Sequence, residues 1–315
     1  MTHWQLNTPV ALIIFNRPDP TQKVFEAIRE AKPPKLFIIA DGPRPDKPGE
    51  AEKCAKTRAI ASQVDWDCEV YTNYAEKNLG CGLRPASGLD WVFSQVEEAI
   101  VLEDDCLPHP SFFRFCEELL QRYRDDERVA TICGTNLLFG QEQIDDSYYF
   151  SRYSICWGWA SWRRAWQWFD FELKDWAEIK QKNLLKDVLI DDYSIKIWSL
   201  LAQETVDKTQ DGGVPDWWDY QWTFCNFINN GLSIIPKVNL ITNLGHTEEA
   251  THTFNEESRF NEVGAEAIEF PLQHPPYLIR NVAADLIVQH SFYDYRPSFQ
   301  KRFMRKFKKL LSVPS

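Results

Sequence analysis

Apolar runs alternate with stretches of helical spacing through the first 135 residues, and that alternation leaves few folds open. Residues 9–15 (PVALIIF) are continuously apolar, as a parallel strand covered on both faces must be, and Val24, Ala27 and Ile28 follow at helical spacing. Residues 35–40 (KLFIIA) predict a second strand ending in the turn Asp41-Gly42-Pro43; residues 50–63 predict a helix and residues 68–72 a third strand. After a loop holding Gly80 and Gly82, residues 85–98 read as a helix. The strand 99–102 (AIVL) then runs directly into Glu103-Asp104-Asp105. A helix over 110–124 and a strand over 129–133 complete the series. Such a succession predicts an open, mostly parallel α/β sheet flanked by helices, whose ligands sit at the carboxyl ends of the strands.

The second half changes character. Ten of the 13 tryptophans fall between Trp157 and Trp222. Packed together they make a core; beside a polar loop they also make platforms for the C–H faces of sugars. Helices are expected over 174–189 and 194–208, a break at Asp211-Gly212-Gly213, a further helix toward Ile228 and a short strand over 232–235. Three parts are therefore expected: 1–135 as a nucleotide-sugar-binding α/β half, 136–295 as the acceptor-side half of the same domain, and 296–315 as a tail.

That tail carries seven basic residues and no acidic ones, against a net charge of −11 for the whole chain. Phe299, Phe303, Phe307, Leu310 and Leu311 fall at helical spacing among the lysines and arginines, the pattern of a basic amphipathic helix. It suits an anionic bilayer surface; the alternative is docking on the acidic body of the protein itself or on a partner. The acidic balance disfavours nucleic acid as a partner, because neutralising phosphates takes clustered Lys and Arg. No stretch approaches the roughly 18 apolar residues of a membrane span. The first seven residues lack a basic start and apolar run, so a cytoplasmic protein, peripheral at most on the inner face of the membrane, is expected. Eight cysteines without a C-x-x-C pair are expected to be reduced and structural.

Glu103-Asp104-Asp105 is the sharpest candidate site. Three consecutive carboxylates repel one another, and at the carboxyl end of a strand they suit a hard divalent cation, Mn²⁺ or Mg²⁺, shared with phosphate oxygens of a substrate. A solvated acidic turn has the same sequence. Arg17 ends the first strand and suits a diphosphate; Asp41 ends the second and suits the hydroxyls or base of a nucleotide. Arg17-Pro18 and Asp41-Gly42-Pro43 are also turn sequences in their own right. Residues 78–84, ending in Arg84, suit a mobile loop over a donor. His246 and His252, among hydroxyl-bearing residues, suit pyrophosphate or acceptor contacts.

The run Ile100-Val101-Leu102-Glu103-Asp104-Asp105, followed by Pro108, Pro110 and Phe112-Phe113, resembles the acidic motif and following helix of GT-A-fold glycosyltransferases of the N-acetylglucosaminyltransferase I type. The resemblance spans roughly residues 8–245 and implies a metal-dependent, inverting transfer of a sugar from a nucleotide-diphosphate donor to a glycan or glycolipid acceptor, a UDP-sugar being favoured. It makes Asp105 the metal ligand, Arg17 and Asp41 nucleotide contacts, and Asp104 and Glu103 contacts to ribose and donor sugar. It places the catalytic base in the tryptophan-rich segment 217–222, at Asp219, with Asp216 as the other candidate because Tyr220 stands where that family has a second aspartate. Asp219 read by itself is also a good helix cap. Two other functions share these features. A nucleotidyltransferase needs the same fold and metal but normally has a glycine-rich loop after its first strand, where this chain has Phe15-Asn16-Arg17-Pro18. A non-catalytic carbohydrate-binding protein needs the tryptophans but not the charged set.

Overall fold

The computed structural model describes residues 4–245 and 263–293. Ten strands are described: β1 (Val10–Ile14), β2 (Lys35–Ala40), β3 (Glu69–Tyr74), β4 (Glu98–Glu103), β5 (Cys106–Pro108), β6 (Val129–Cys133), β7 (Tyr148–Ser151), β8 (Trp159–Trp162), β9 (Leu232–Pro236) and β10 (Ile241–Asn243). The helices are α1 (Pro18–Ala31), α2 (Glu50–Ala61), α3 (Gly80–Gln95), α4 (Ser111–Arg122), α5 (Arg163–Trp166), α6 (Trp176–Lys182), α7 (Asp192–Gln210), α8 (Asp219–Ile228) and α9 (Val282–Ser291).

Eight strands form one sheet in the order β3-β2-β1-β4-β8-β6-β9-β7. β3, β2, β1 and β4 are mutually parallel, β8 runs antiparallel between β4 and β6, β9 is parallel to β6, and β7 closes the edge antiparallel to β9. This is the open, mostly parallel, Rossmann-like α/β plan expected from the sequence. Every residue of β1 is buried, and burying each Val, Leu or Ile there is worth about 1.5–3 kcal/mol. α1 follows at once, entered through Pro18 and turned inward by Thr21, Val24, Phe25 and Ile28, and it ends where Lys32 adopts the left-handed conformation. The three-residue strands β5 and β10 pair antiparallel with Asn243 opposite Cys106, which carries the chain after β10 to the end of β4.

Several local expectations are corrected. β5, β7, β8, β10 and α9 have no counterpart in the sequence reading; the strands among them are three or four residues long, too short for a periodic signal. The helix expected over 174–189 is α6 followed by a 3-10 turn, Leu184–Asp187, because Asn183 is in the left-handed conformation and ends α6. The expected mobile loop 78–84 is the start of α3, which begins five residues ahead of the expected position. Seven of the ten clustered tryptophans (Trp159, Trp162, Trp166, Trp176, Trp198, Trp218 and Trp222) are buried, so they build core rather than sugar platforms. Trp159, Trp166, Trp218 and Trp222 pack on one another with ring centroids 5.1–6.2 Å apart. None of the eight cysteines is in a disulfide and six are buried, as structural thiols would be. No helix among the described residues is long and apolar enough to cross a membrane. The basic tail 296–315 lies outside the described residues.

Candidate active site

The register of β1 on β4 sets Ile13 beside Glu103, so the residues that follow each strand emerge side by side. The acidic triplet and Phe15-Asn16-Arg17 therefore share one strand-end crevice, although some 90 residues of chain separate them. Phe15 N donates to Asp104 Oδ2 (3.2 Å), closing the two strand ends together. The Arg17 guanidinium bridges the pair that follows β4: Nη1 lies 2.7 Å from Asp105 Oδ2 and Nη2 3.2 Å from Asp104 Oδ1.

Burial opposes charge on Arg17, but Asp104 and Asp105 outweigh it and hold the guanidinium above its ordinary value. Burial pushes the Glu103 carboxyl up to about 8, with Asp105, Asp104 and Asp219 adding to the push and Arg17 opposing it. Burial also raises Asp104, to about 7, against the pull of Arg17. The triplet thus carries more acid than the Arg17 guanidinium balances, and carboxyls so placed share protons or take up cations.

Asp219 opens α8, at its first position rather than as its cap, which is Trp218. Its charge adds to the upward push on Glu103, on Cys81 at the start of α3 and on the buried Cys156, so Asp219 lies within electrostatic range of the triplet. Asp216 is exposed and pairs with Lys208 Nζ (3.2 Å), while its carbonyl oxygen accepts from Cys81 Sγ (2.9 Å). The segment after β10 lies against Asp105 from the other side: Leu244 N donates to the Asp105 carbonyl oxygen (2.7 Å). A Cβ at Gly245 would press on Asp105 Oδ2, so any other residue there must displace that carboxylate. His246 is the next residue in the chain; His246 and His252 lie outside the described residues.

Asp41 is in the crevice but is engaged by the protein itself. Its Oδ1 accepts from Gly42 N (2.8 Å) and Leu79 N (2.9 Å), and its Oδ2 from Asn78 Nδ2 (2.9 Å) and Gly80 N (3.0 Å). Four donors use the four lone-pair directions of a carboxylate, and two of them, Leu79 N and Gly80 N, are backbone groups at the start of α3. Arg84 is likewise corrected: it is buried on α3, donates through Nη2 to Asn73 O (2.6 Å) and Oδ1 (2.9 Å), and cannot close over a ligand as a loop residue.

Two residues not singled out in the sequence shape the same crevice. Glu50, buried at the start of α2, accepts from Asn16 Nδ2 (3.0 Å), Arg44 N (2.7 Å), Arg44 Nε (3.0 and 3.1 Å) and Arg44 Nη2. It therefore ties the loop after β1 to the loop after β2, and Arg44 holds its carboxyl below the ordinary range. The Arg44 guanidinium carbon lies over the Phe15 ring, 5.6 Å from its centroid. A glutamate opening a helix is common, and nothing local announces partners six and 34 residues away.

Among the described residues no three His, Cys, Asp or Glu side chains are grouped to hold a metal. The donor set nonetheless suits a cation bound together with substrate. Among the described residues Asp105 Oδ1 accepts from the Cys106 thiol, at 3.5 Å, and Mg²⁺ or Mn²⁺ characteristically takes one or two carboxylates plus substrate phosphate oxygens.

No family model and no curated protein matches the chain. Among solved structures it is similar to S. aureus TarS 1-349, with a TM-score of 0.39 and 8% identity over 75% of this chain and 60% of that one. It is similar to 4-diphosphocytidyl-2C-methyl-D-erythritol synthase from Anaerococcus prevotii DSM 20548, with a TM-score of 0.29 and 11% identity over 60% of this chain and 82% of that one. A third is the CMP:2-keto-3-deoxy-manno-octonic acid synthetase complexed with CTP, with a TM-score of 0.30 and 15% identity over 57% of this chain and 86% of that one. The chain spans less than two thirds of the TarS structure's length. Likenesses this distant leave function to be argued from the site.

Proposed function

We propose that the protein is a glycosyltransferase that moves a sugar from a nucleotide-diphosphate donor, a UDP-sugar in first place, to a hydroxyl of a glycan or lipid-linked glycan. The observation that carries this reading is the pairing of Arg17 with Asp104 and Asp105 at the carboxyl ends of parallel β1 and β4, with Asp219 within electrostatic range of Glu103. A sugar hydroxyl is a poor nucleophile and needs a carboxylate in reach to take its proton; Asp219 is that base, since Asp216 is exposed and paired with Lys208. Arg17 is the group for the diphosphate. Glu103, at the end of β4, is the contact to a donor-sugar hydroxyl. The base and the leaving diphosphate on opposite sides of the anomeric carbon make the reaction a single displacement with inversion.

A diphosphate adds negative charge to a crevice already rich in acid, which favours a divalent cation held by Asp105. Bound there, Mn²⁺ or Mg²⁺ supplies the positive charge that the departing diphosphate requires. His246 and His252 are retained as candidates for pyrophosphate or acceptor contacts. The loop after β1, Phe15-Asn16-Arg17, enters α1 without a glycine, which disfavours the phosphate cradle of a nucleotidyltransferase. The basic segment 296–315 suits docking on an anionic bilayer that carries the acceptor.

Calorimetric titration of UDP, GDP, CDP and dTDP, each with Mn²⁺ and with chelator, tests the reading when combined with the Asp219→Asn variant. One nucleotide should bind with metal, and Asp219→Asn should keep that binding while losing transfer of the sugar to acceptor or to water. Failure of every nucleotide to bind a folded wild-type protein sinks it.

A further inference from the structure

Arg44 sits in the crevice with two unusual properties for a surface arginine. Its charge is already matched: Nε, Nη2 and the backbone N–H all face the buried Glu50, whose carboxylate also holds Asn16. Its side chain is nevertheless 46% exposed, and one side of the guanidinium is set over the Phe15 ring at the end of β1. A compensated guanidinium has little Coulombic pull left for a phosphate, but its planar face still stacks on aromatic rings. Arg17, one residue past the Asn16 that Glu50 holds, is the guanidinium turned toward the acids and the diphosphate. The two arginines are thereby divided in function by their carboxylate partners.

We propose that Arg44 is the platform on which the nucleobase of the donor stacks, with Phe15 behind it and Glu50 fixing its plane. This rests on the nucleotide-donor reading and deepens it by naming what holds the base. Glu50 is a positioning residue: it touches no ligand and acts by locking Arg44 and Asn16 together. Stacking is tolerant of base identity, so the platform contributes affinity, and the choice among bases falls to edge contacts elsewhere in the crevice.

The test uses the full chain and the nucleoside diphosphate that wild type binds, with inorganic pyrophosphate as second probe. Arg44→Lys keeps the charge beside Glu50 and removes the plane; Arg44→Ala removes both. Both variants should bind the nucleoside diphosphate about ten-fold more weakly, as loss of one base-stacking contact implies, while pyrophosphate affinity stays at the wild-type value. Glu50→Ala, and Glu50→Gln, whose NH₂ meets the Arg44 donors whichever way it turns, should each weaken nucleoside diphosphate binding while pyrophosphate affinity stays at the wild-type value. Unfolding midpoints measured alongside separate lost binding from lost folding. Arg44→Lys binding as wild type does, or an equal fall in pyrophosphate affinity, overturns the platform and leaves the donor reading standing. No nucleotide binding by wild type overturns both.

Discussion

Arg17 Nη1 lies 2.7 Å from Asp105 Oδ2, across 88 residues of sequence, and this contact joins the ends of β1 and β4. The same guanidinium would meet an incoming diphosphate. Arg17→Ala should weaken nucleoside diphosphate binding about ten- to hundred-fold, the range for losing a charge-assisted hydrogen bond. The loss should shrink as salt is raised, because wild type itself then binds less tightly. Calorimetry at two ionic strengths checks both; an affinity unaffected by the substitution would remove Arg17 from the site.

Gly245→Ala places a methyl group 2.1 Å from Asp105 Oδ2 and 3.0 Å from Asn243 Oδ1. The carboxylate is the softer neighbour and should swing away from Arg17, at a cost of roughly 1–3 kcal/mol for the overpacking. The variant should fold, melt a few degrees lower and bind nucleotide with metal at least about ten-fold more weakly. Retention of wild-type affinity would mean that the placement of Asp105 is not what the donor needs.

Asp41 accepts four hydrogen bonds from the protein, so its substitution should appear in stability first. In Asp41→Asn the new NH₂ replaces Oδ2 before Asn78 Nδ2 and Gly80 N, or Oδ1 before Gly42 N and Leu79 N, leaving donors face to face. The expected cost is about 1–3 kcal/mol in urea unfolding, with nucleotide affinity near wild type while the protein is folded. Abolished binding at unchanged stability would instead make Asp41 a nucleotide contact.

Asp285, buried under β7, accepts from Ser151 Oγ (2.6 Å) and Arg152 N (3.1 Å), and burial raises its pKa to about 6 despite Arg280 at 3.8 Å. A carboxyl raised in the folded state binds its proton more tightly there than when unfolded. Its contribution to stability is therefore full below about pH 4 and is lost as pH rises toward 6. Asp285→Asn should flatten the stability profile in that window relative to wild type, by up to about 3 kcal/mol. Parallel wild-type and variant profiles from denaturant unfolding between pH 4 and 7 would contradict this.

Six of the eight sheet strands were legible in advance, because apolar runs such as PVALIIF and KLFIIA are the pattern of buried strands. The short strands were not: WASW of β8 reads as part of a tryptophan cluster, yet it is inserted antiparallel between β4 and β6. Asp41 and Arg84 show the same limit in the candidate site. Both stand near the crevice as the sequence suggested, but whether a polar group faces ligand or protein depends on which backbone donors arrive beside it.

The sequence by itself determined the alternating plan, the acidic triplet at the end of β4 and the basic residue at the end of β1, since strand ends follow directly from where apolar runs stop. Only the tertiary structure decided that Arg17 pairs with Asp105, that Glu50 joins Asn16 to Arg44, and that Gly245 lies beneath the same carboxylate. These contacts are set by sheet register and by the β5–β10 pairing across up to 140 residues. Periodicity extends over a few turns of chain and carries no information at that range.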